Sequence, residues 1–418
     1  MARKQQFSRL VLFALTLACA APLSAAPYFS GRQISAPGLS TPVKSVSQLQ
    51  LPLPEKDWTI TAFLSGKNSL SYDMLWALNQ FELAGPSARV NMVVEMGQIL
   101  MDRGYKSYSE WTGTRRYYLV KDKNDKKLTS IELPAQPYAD LASPLHLRKY
   151  IQWSKANFPA KKHMLFFKNH GHGVRGISDD DRTKKLMSVP GLADAIRKAG
   201  GVDLLFLDAC LMQTLEVVYE LRGAAPTVVA SEEFLYSTGF DLRKILASMN
   251  RNPNMKPETA AHKVMAGFKD QSPTASLVNI PASQELARML DSWTQTVMSA
   301  PDGKAAAALA AKDVLRFGEK QEHADLMRFV HLVYLNSSDT ALKKQSEALV
   351  RYYTTVMLGK NKTNDISGAY GLSIYLPPDG NIIPEYGNLA FTKETRWIDF
   401  LKWLKENGAI YGEVKPAD

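Results

Sequence analysis

The sequence predicts an α/β fold in which a mostly parallel sheet is flanked by helices and followed by a helix-rich C-terminal portion. Between residues 58 and 230, short apolar segments alternate with segments whose apolar residues recur at helical spacing, which is typical of βαβ units. The runs at 164–167 and 204–207 are apolar throughout, as expected of central strands that are buried on both faces. Beyond residue 242 the apolar spacing becomes mainly helical.

The first 25 residues have the composition of a secretory signal peptide. Three basic residues precede an apolar run from Leu10 to Ala21, which is too short to be kept as a membrane-spanning helix. We expect cleavage after Ala25 and therefore export to the periplasm or the extracellular medium. A lipoprotein anchor at Cys19 is disfavoured, because Thr16 stands where such signals have a leucine. Loss of the leader, with three basic residues and no acidic ones, lowers the net charge from +10 to +7.

The rest of the chain divides into three predicted segments. Residues 26–56 are rich in Pro, Ser and Gly and lack periodicity, which predicts a linker. Residues 57–242 form the predicted α/β core. Residues 243–410 form the predicted helix-rich region, to which the apolar run at 371–376, followed by two prolines, adds a returning strand.

Each element is predicted from a local pattern. Alternating or continuous apolar runs predict strands at 58–64, 89–95, 115–121, 128–132, 164–169, 203–208 and 227–230. Apolar residues at helical spacing predict helices at about 69–84, 144–157, 190–199, 211–222, 286–297, 305–315, 341–357 and 395–406. The third and fourth strands are close enough in sequence to pair as a hairpin.

One cysteine remains after the leader is removed, and a histidine stands at a matching place in the pattern. Cys210 follows the apolar run 204–207, and His170 follows the run 164–167. The carboxyl ends of parallel strands meet at one edge of a sheet, so we expect the two side chains to lie close together. An imidazole can take the proton of a thiol, which is only slightly ionised at neutral pH. The alternative is that Cys210 is an unreactive core residue.

Backbone groups beside these side chains could stabilise a developing oxyanion. Gly171 follows the histidine and leaves room for a substrate carbonyl, and its N–H could act together with that of Cys210. The next helix is predicted to begin at Leu211, which would place the sulfur near the positive end of a helix dipole. These features point to acyl transfer by a nucleophilic cysteine.

The composition argues against other partners. Basic residues are spread along the chain, and neither a nucleic-acid motif nor a second apolar run of membrane-spanning length is present in the sequence. We therefore expect no nucleic-acid partner, no stable membrane insertion after the leader is lost, and a monomer.

Two motifs resemble those of the clostripain family of cysteine peptidases, in the clan of caspases, legumains and gingipains. They are Asn-His-Gly-His-Gly at 169–173 and Asp-Ala-Cys-Leu-Met at 208–212, and the likeness extends from about residue 58 to 405. The resemblance implies a caspase-like catalytic core. It also implies that His170 and Cys210 form a catalytic dyad that hydrolyses peptide bonds through a thioester, so that the substrates are peptides or proteins.

The resemblance further implies a preference for Arg or Lys before the cut bond, which requires carboxylates in the substrate pocket. Asp208 is the first candidate, with capping of the next helix as its alternative role; Glu232 and Glu233 are weaker candidates. His172 stands where relatives have a small residue, and we expect it to line the cleft without acting as the base. The segment 237–241 reads Ser-Thr-Gly-Phe-Asp where relatives often have Gly-Trp, which weakens the prediction of a strict basic preference.

The segment 178–185, Ser-Asp-Asp-Asp-Arg-Thr-Lys-Lys, lies between the two dyad residues. Relatives mature by cutting between their catalytic residues, so Arg182, Lys184 and Lys185 are candidate sites of self-cleavage. The alternative is a solvated loop. No cofactor is required for the predicted reaction, although the triplet Asp179–Asp181 could hold Ca²⁺, which some relatives need.

Two other classes of function remain open. A metal-dependent hydrolase could use His170, His172 and the acidic triplet, but the usual histidine and aspartate spacing is interrupted by Val174 and Arg175. An exported binding protein of the same fold, without catalysis, is the second alternative.

Overall fold

The structure is a computed structural model that describes residues 49–99, 111–125 and 128–408. The predictions on the signal peptide, on cleavage after Ala25, on Cys19 and on residues 26–48 of the linker lie outside the described residues.

Most strands of the described residues belong to one nine-stranded sheet. The strands in chain order are β1 (Lys56–Gly66), β2 (Val90–Gln98), β3 (Gly113–Tyr118), β4 (Ile131–Leu133), β5 (Ala160–Lys168), β6 (Ile177–Asp180), β7 (Lys185–Met187), β8 (Leu204–Asp208), β9 (Thr227–Ala230), β10 (Thr274–Asn279), β11 (Arg316–Phe317), β12 (His323–Asp325), β13 (Leu358–Thr363) and β14 (Ser373–Tyr375). The order across the large sheet is β13-β10-β9-β8-β5-β1-β2-β3-β4. The central strands from β9 to β2 run parallel, and the outer strands are antiparallel to their neighbours. The predicted mostly parallel α/β fold is confirmed.

Helices lie on both faces of this sheet. In chain order they are α1 (Ser71–Ala84), α2 (Pro144–Asn157), α3 (Val189–Lys198), α4 (Leu215–Glu220), α5 (Leu242–Arg251), α6 (Pro257–Ala266), α7 (Ser283–Ser299), α8 (Gly303–Asp313), α9 (Leu326–Asn336), α10 (Thr340–Tyr352), α11 (Ala390–Glu394) and α12 (Trp397–Glu406). None of the helices in the described ranges is long and apolar enough to cross a membrane.

The continuous apolar runs of the central strands are explained by burial on both faces. Side chains alternate along a strand, so one run supplies two cores. Leu165 and Phe167 of β5 pack into the larger core, together with α2, α3 and many C-terminal residues. Met164 and Phe166 pack into a second core with α1, α5 and α6.

The sheet register places the ends of β5 and β8 side by side. Lys168 and Asp208 are the last paired residues of these two parallel strands. His170 and Cys210 each follow two residues later, so they leave the sheet at the same edge.

The C-terminal region contributes to the same sheet as the core. Strands β10 and β13 extend the sheet beyond β9, and the larger core contains residues from both sides of residue 242. The predicted returning strand appears as β14, but it pairs with β12 in a small three-stranded sheet with β11. The predicted helix at 341–357 consists of α10 followed by a π-helical turn at Tyr353–Met357.

Candidate active site

The loops that follow β5 and β8 are in direct contact. A methyl group placed on Gly171 would lie 2.2 Å from the carbonyl oxygen of Cys210 and 2.9 Å from Cγ of Met212. Only a glycine allows this approach without displacing backbone. The structure therefore brings the His170–Gly171 segment against the Cys210 segment, as the strand pattern predicts.

His170 is held by a neighbour that the sequence did not suggest. Its Nε2 lies 2.8 Å from Oγ of Ser69, in the turn between β1 and α1. Burial lowers the pKa of His170, and the negative charge of Asp179 opposes this effect. The imidazole is therefore mostly neutral at pH 7 and can accept a proton.

An amide network fixes the backbone from which His170 projects. Nδ2 of Asn169 donates to the carbonyl of Ser65 at 2.7 Å, and Nδ2 of Asn68 donates to Oδ1 of Asn169 at 2.7 Å. Asn68 also donates to the carbonyl of Asp179 at 2.8 Å. Because both amides are buried, breaking one bond would leave a polar group unsatisfied, which makes the loop rigid.

Cys210 lies in a turn and is partly covered by the loop after β9. Its Sγ accepts a hydrogen bond from the N–H of Leu235 at 3.3 Å. Burial raises the pKa of Cys210 to about 11, and the nearby charges of Glu233 and Asp208 act in the same direction. In this covered arrangement the sulfur is a thiol at neutral pH and needs a base to become a nucleophile.

The prediction that a helix begins at Leu211 is wrong. Leu211 has a φ of 62°, a conformation that does not propagate a helix. The next residues are held extended, because the N–H of Gln213 donates to Ser231 and Thr214 bridges to Ser373 of β14. Helix α4 begins only at Leu215, so the sulfur does not lie at a helix N-terminus.

The orientation of the Gly171 N–H follows from the hydrogen bonds of its neighbours. Gly171 forms an antiparallel bridge with Ile177. Two hydrogen bonds make this bridge: the N–H of His172 donates to the carbonyl of Gly176, and the N–H of Ser178 donates to the carbonyl of His170. In an antiparallel pair of this kind the N–H of the central residue points away from its partner strand. The N–H of Gly171 is therefore directed away from β6, as an oxyanion donor would need to be.

Asp208 lies in a buried ion pair. Its Oδ2 is 2.7 Å from Nζ of Lys168, and the two side chains are 3% and 4% exposed. Lys168 also donates to the carbonyl of Ser237 at 3.3 Å. Burial raises the pKa of Asp208, and the charge of Lys168 opposes this effect. The alternative role of Asp208 as a helix cap is filled by Thr214, whose Oγ1 accepts the N–H of Val217.

The two glutamates after β9 make contacts with the C-terminal region. Glu232 is buried, accepts the N–H of Gly371 at 2.9 Å, and lies against Asp325. Burial and the charge of Asp325 raise the pKa of Glu232 well above its ordinary value. Glu233 accepts the N–H groups of Phe234 at 2.7 Å and Gly318 at 3.2 Å. Both carboxyl groups are thus engaged by other residues.

His172 lies at the rim beside His170, with the two ring centroids 6.4 Å apart. Its Nε2 is 2.8 Å from Oδ1 of Asp179, so a hydrogen bond positions it in the loop.

The acidic triplet is engaged by three different sets of partners. Asp179 pairs with His172, and Asp181 lies 4.0 Å from Lys184. Asp180 accepts the backbone N–H groups of Leu141, Arg182 and Thr183. This arrangement does not fit a single Ca²⁺ ion, which needs converging oxygen ligands. Within 49–99, 111–125 and 128–408 no group of three or more His, Cys, Asp or Glu residues could hold a metal.

The candidate cleavage residues lie in the turn and at the start of the second strand of the hairpin formed by β6 and β7. Arg182, Lys184 and Lys185 are all exposed. Lys185 pairs with Asp140 at 2.9 Å, and a surface cavity of about 330 Å³ borders this hairpin and not Cys210. The hairpin is therefore accessible to a second protease molecule.

Comparison with known proteins extends these observations. The sequence model of the clostripain family matches residues 62–403. Clostripain from Hathewaya histolytica is 27% identical over an alignment of 220 residues that covers 45% of this chain and 41% of that protein. The chain thus spans about two-fifths of the length of that curated relative.

Solved structures show the same fold. A secreted C11 cysteine protease from Bacteroides thetaiotaomicron, in complex with an irreversible peptide inhibitor, superposes with a TM-score of 0.61 at 18% identity, covering 83% of this chain and 99% of that one. An inactive zymogen C11 protease from Parabacteroides distasonis gives a TM-score of 0.57 at 19% identity, covering 86% and 100%. Because the family match covers most of the sequence, this chain belongs to the clostripain family of cysteine peptidases.

Proposed function

We propose that this protein is an exported cysteine endopeptidase in which Cys210 is the nucleophile and His170 is the general base. The observation that carries the proposal is the contact of Gly171 with the carbonyl of Cys210. This contact, together with the register of β5 and β8, supports an imidazole, a thiol and a backbone donor at one edge of the sheet.

The proposed reaction has two acyl-transfer steps. Neutral His170 accepts the proton of Cys210, the thiolate attacks the peptide carbonyl, and the N–H groups of Gly171 and Cys210 bind the oxyanion. His170 then protonates the leaving amine, and a thioester remains. Water, deprotonated by His170, attacks the thioester and releases the acid and the free thiol.

A fluorogenic peptide panel with Arg, Lys, Asn, Leu or Asp before the cut bond tests this proposal. We expect the Cys210→Ala variant to lose at least about 10³-fold in kcat and His170→Ala to lose about 10²–10⁴-fold. Iodoacetamide should inactivate the wild type. If no peptide is cleaved in a thiol-dependent way, the assignment as a cysteine peptidase is defeated.

The side chain selected before the cut bond depends on Asp208. A preference for Arg or Lys, implied by the resemblance, requires a carboxylate that is free to pair with the substrate. Asp208 lies two residues before the nucleophile, which supports this preference, but its salt bridge with Lys168 leaves the carboxylate less free to pair with a substrate. Glu232, Glu233 and His172 would act at this pocket only indirectly, through the loops that they hold.

We also propose self-cleavage within the β6–β7 hairpin, after Arg182, Lys184 or Lys185. The exposure of these residues supports it. Purified wild type should yield two fragments on a denaturing gel, whereas Cys210→Ala should remain a single chain. A cut that appears equally in Cys210→Ala would assign the cleavage to another protease.

Export and calcium dependence are the remaining parts of the proposal. N-terminal sequencing of the protein from a periplasmic or medium fraction should begin at Ala26. Activity in the presence of a chelator tests the prediction that the reaction needs no cofactor; a loss that Ca²⁺ restores would establish a calcium requirement.

A further inference from the structure

The turn after β1 contains a lysine that is buried although no part of the proposed reaction uses it. The side chain of Lys67 is 1% exposed, and its Nζ lies 3.9 Å from Oδ2 of the fully buried Asp180. Nζ also donates to the carbonyl of Ala139. Burial lowers the pKa of Lys67, and the charge of Asp180 opposes this effect. Removing either partner would leave the other as an unmatched buried charge, which is strongly unfavourable.

Asp180 joins this turn to the β6–β7 hairpin and to the segment before α2. Its Oδ2 accepts the N–H of Leu141 at 3.1 Å. The next residue of the hairpin, Asp181, donates its N–H to the carbonyl of Lys67 at 2.9 Å. Both the backbone and the side chain of Lys67 are therefore fixed to the hairpin.

The two residues that follow Lys67 hold the base of the proposed reaction. Nδ2 of Asn68 donates to Oδ1 of Asn169 and to the carbonyl of Asp179, at 2.7 and 2.8 Å. Oγ of Ser69 lies 2.8 Å from Nε2 of His170. Asn68 is buried, whereas Ser69 is exposed. Because an exposed side chain is not held by packing, the position of Ser69 depends on the buried residues before it.

We propose that Lys67 and Asp180 are positioning residues, which fix the turn at 67–69 so that it holds the imidazole of His170 in place for catalysis. The inference rests on the proposed function, in which His170 is the general base. Both residues act through the turn, and neither has to contact the substrate.

An unmatched charge at this place would displace the turn. Without Asp180, the ammonium group of Lys67 would gain hydration by moving toward solvent, and the backbone of the turn would move with it. A displacement of about 1 Å can lower a reaction rate about 10²-fold. Such a loss should appear in kcat and not in KM, because the base does not bind the substrate. Self-cleavage after residue 182, 184 or 185 would leave Lys67 and Asp180 in one fragment, so it does not separate the pair.

The test measures kcat and KM of Lys67→Met, Asp180→Asn and Ser69→Ala on a peptide that wild type cleaves. We expect Lys67→Met and Asp180→Asn each to lower kcat at least about fivefold, with KM changed by less than about twofold. The double variant Lys67→Met/Ser69→Ala should lose at most about twofold more than Lys67→Met alone, because the lysine acts through the serine. Losses from independent residues would multiply.

A stability control separates positioning from unfolding. Leu404→Ala removes a buried side chain of α12 from the larger core. It should therefore lower the Tm and leave kcat unchanged at temperatures where the protein is folded. Each kcat is measured below the Tm of its own variant. If Lys67→Met does not fold, Asp180→Asn and its double variant with Ser69→Ala provide the same comparison.

The inference is overturned if Lys67→Met and Asp180→Asn keep the kcat of wild type, or if the loss in the double variant is the product of the single losses. Failure of the proposed function is a different result, because the wild type itself would then show no thiol-dependent cleavage of any peptide.

Discussion

Ser69 gives His170 a defined orientation. One ring nitrogen, Nε2, is hydrogen-bonded to the serine hydroxyl, so Nδ1 would be the nitrogen that exchanges the proton in the proposed reaction. The serine comes from the turn after β1, far from both motifs in sequence, so no local pattern could identify it. In the proposed reaction Ser69 would be a positioning residue, since its hydroxyl contacts His170.

Replacing Ser69 with Ala should therefore lower kcat with little change in KM. We expect a loss of about fivefold, because the imidazole loses one orienting hydrogen bond worth about 1 kcal/mol. The acidic limb of the pH profile should also shift, since this limb reports the ionisation of His170. Ser69→Thr should restore both properties, and a KM change alone would contradict the positioning role.

The small size of Gly171 allows the loop after β5 to contact the loop after β8. A methyl group there would meet the carbonyl of Cys210 at 2.2 Å, so Gly171→Ala should push the two loops apart. We expect a loss of about 10²-fold in kcat/KM, the effect of a displacement of about 1 Å. Gly387→Ala is the control, because no atom lies within 4 Å of the added methyl group. Equal activity of both variants would mean that the loops tolerate separation.

At the scale of elements, the segment after β9 is tied to the C-terminal region by a pair of buried carboxyl groups. Glu232 accepts the N–H of Gly371, and Asp325 accepts the neighbouring N–H of Tyr370. Burial raises the pKa of Asp325 to about 6, and burial together with Asp325 raises that of Glu232. Two carboxyl groups in contact are best accommodated by holding one proton between them.

This pair makes stability depend on pH with a definite sign. Because the folded-state pKa values are raised above those of the unfolded chain, the stabilisation is fully present at low pH and is lost as pH rises through the folded values. Glu232→Gln cannot ionise, so its Tm relative to wild type should increase between pH 5 and pH 8. Melting curves across that range test this; a difference in Tm that is independent of pH would contradict the shared proton.

The sequence predicts correctly those helices and strands whose structure is determined by the spacing of their own apolar residues. Helix α2 occupies the predicted bounds because Ser143 caps it and Pro144 opens it. The prediction that the helix after Cys210 begins at Leu211 is wrong, because contacts of Gln213 with Ser231 and of Thr214 with Ser373 hold the chain extended. The sequence analysis does not predict strands β10 and β13, because they are defined by pairing with strands that are distant in sequence. The same limit applies to Lys168, whose partner is visible only once the register of β5 and β8 is known.

At the scale of the whole molecule, the core and the helix-rich region share one sheet and one large hydrophobic core. Strands β10 and β13 cover the edge of β9, and Trp293, Phe329 and Phe400 of α7, α9 and α12 pack together in that core. The predicted boundary at residue 242 is therefore crossed by both hydrogen bonds and packing.

A chain ending at residue 242 should fail to fold independently. It would leave β9 as an open edge and expose the apolar face that α7–α9 cover, which favours aggregation. Expression of this fragment beside the full chain, compared by solubility and circular dichroism, checks the expectation. A soluble and cooperatively melting fragment would show that the first segment is a domain by itself.

The β6–β7 hairpin lies in sequence between the two strands that precede His170 and Cys210, although β5 and β8 are hydrogen-bonded neighbours. If the hairpin turn were cut, the imidazole and the thiol would belong to different polypeptides held together only by the sheet and its cores. The cut protein, as long as it stays folded, would keep its activity on dilution, because the two fragments share a large interface. After denaturation, however, recovery would become a second-order process, so its rate would rise with protein concentration. Cutting would thus change refolding from a unimolecular process into a bimolecular one, in which the two fragments must associate.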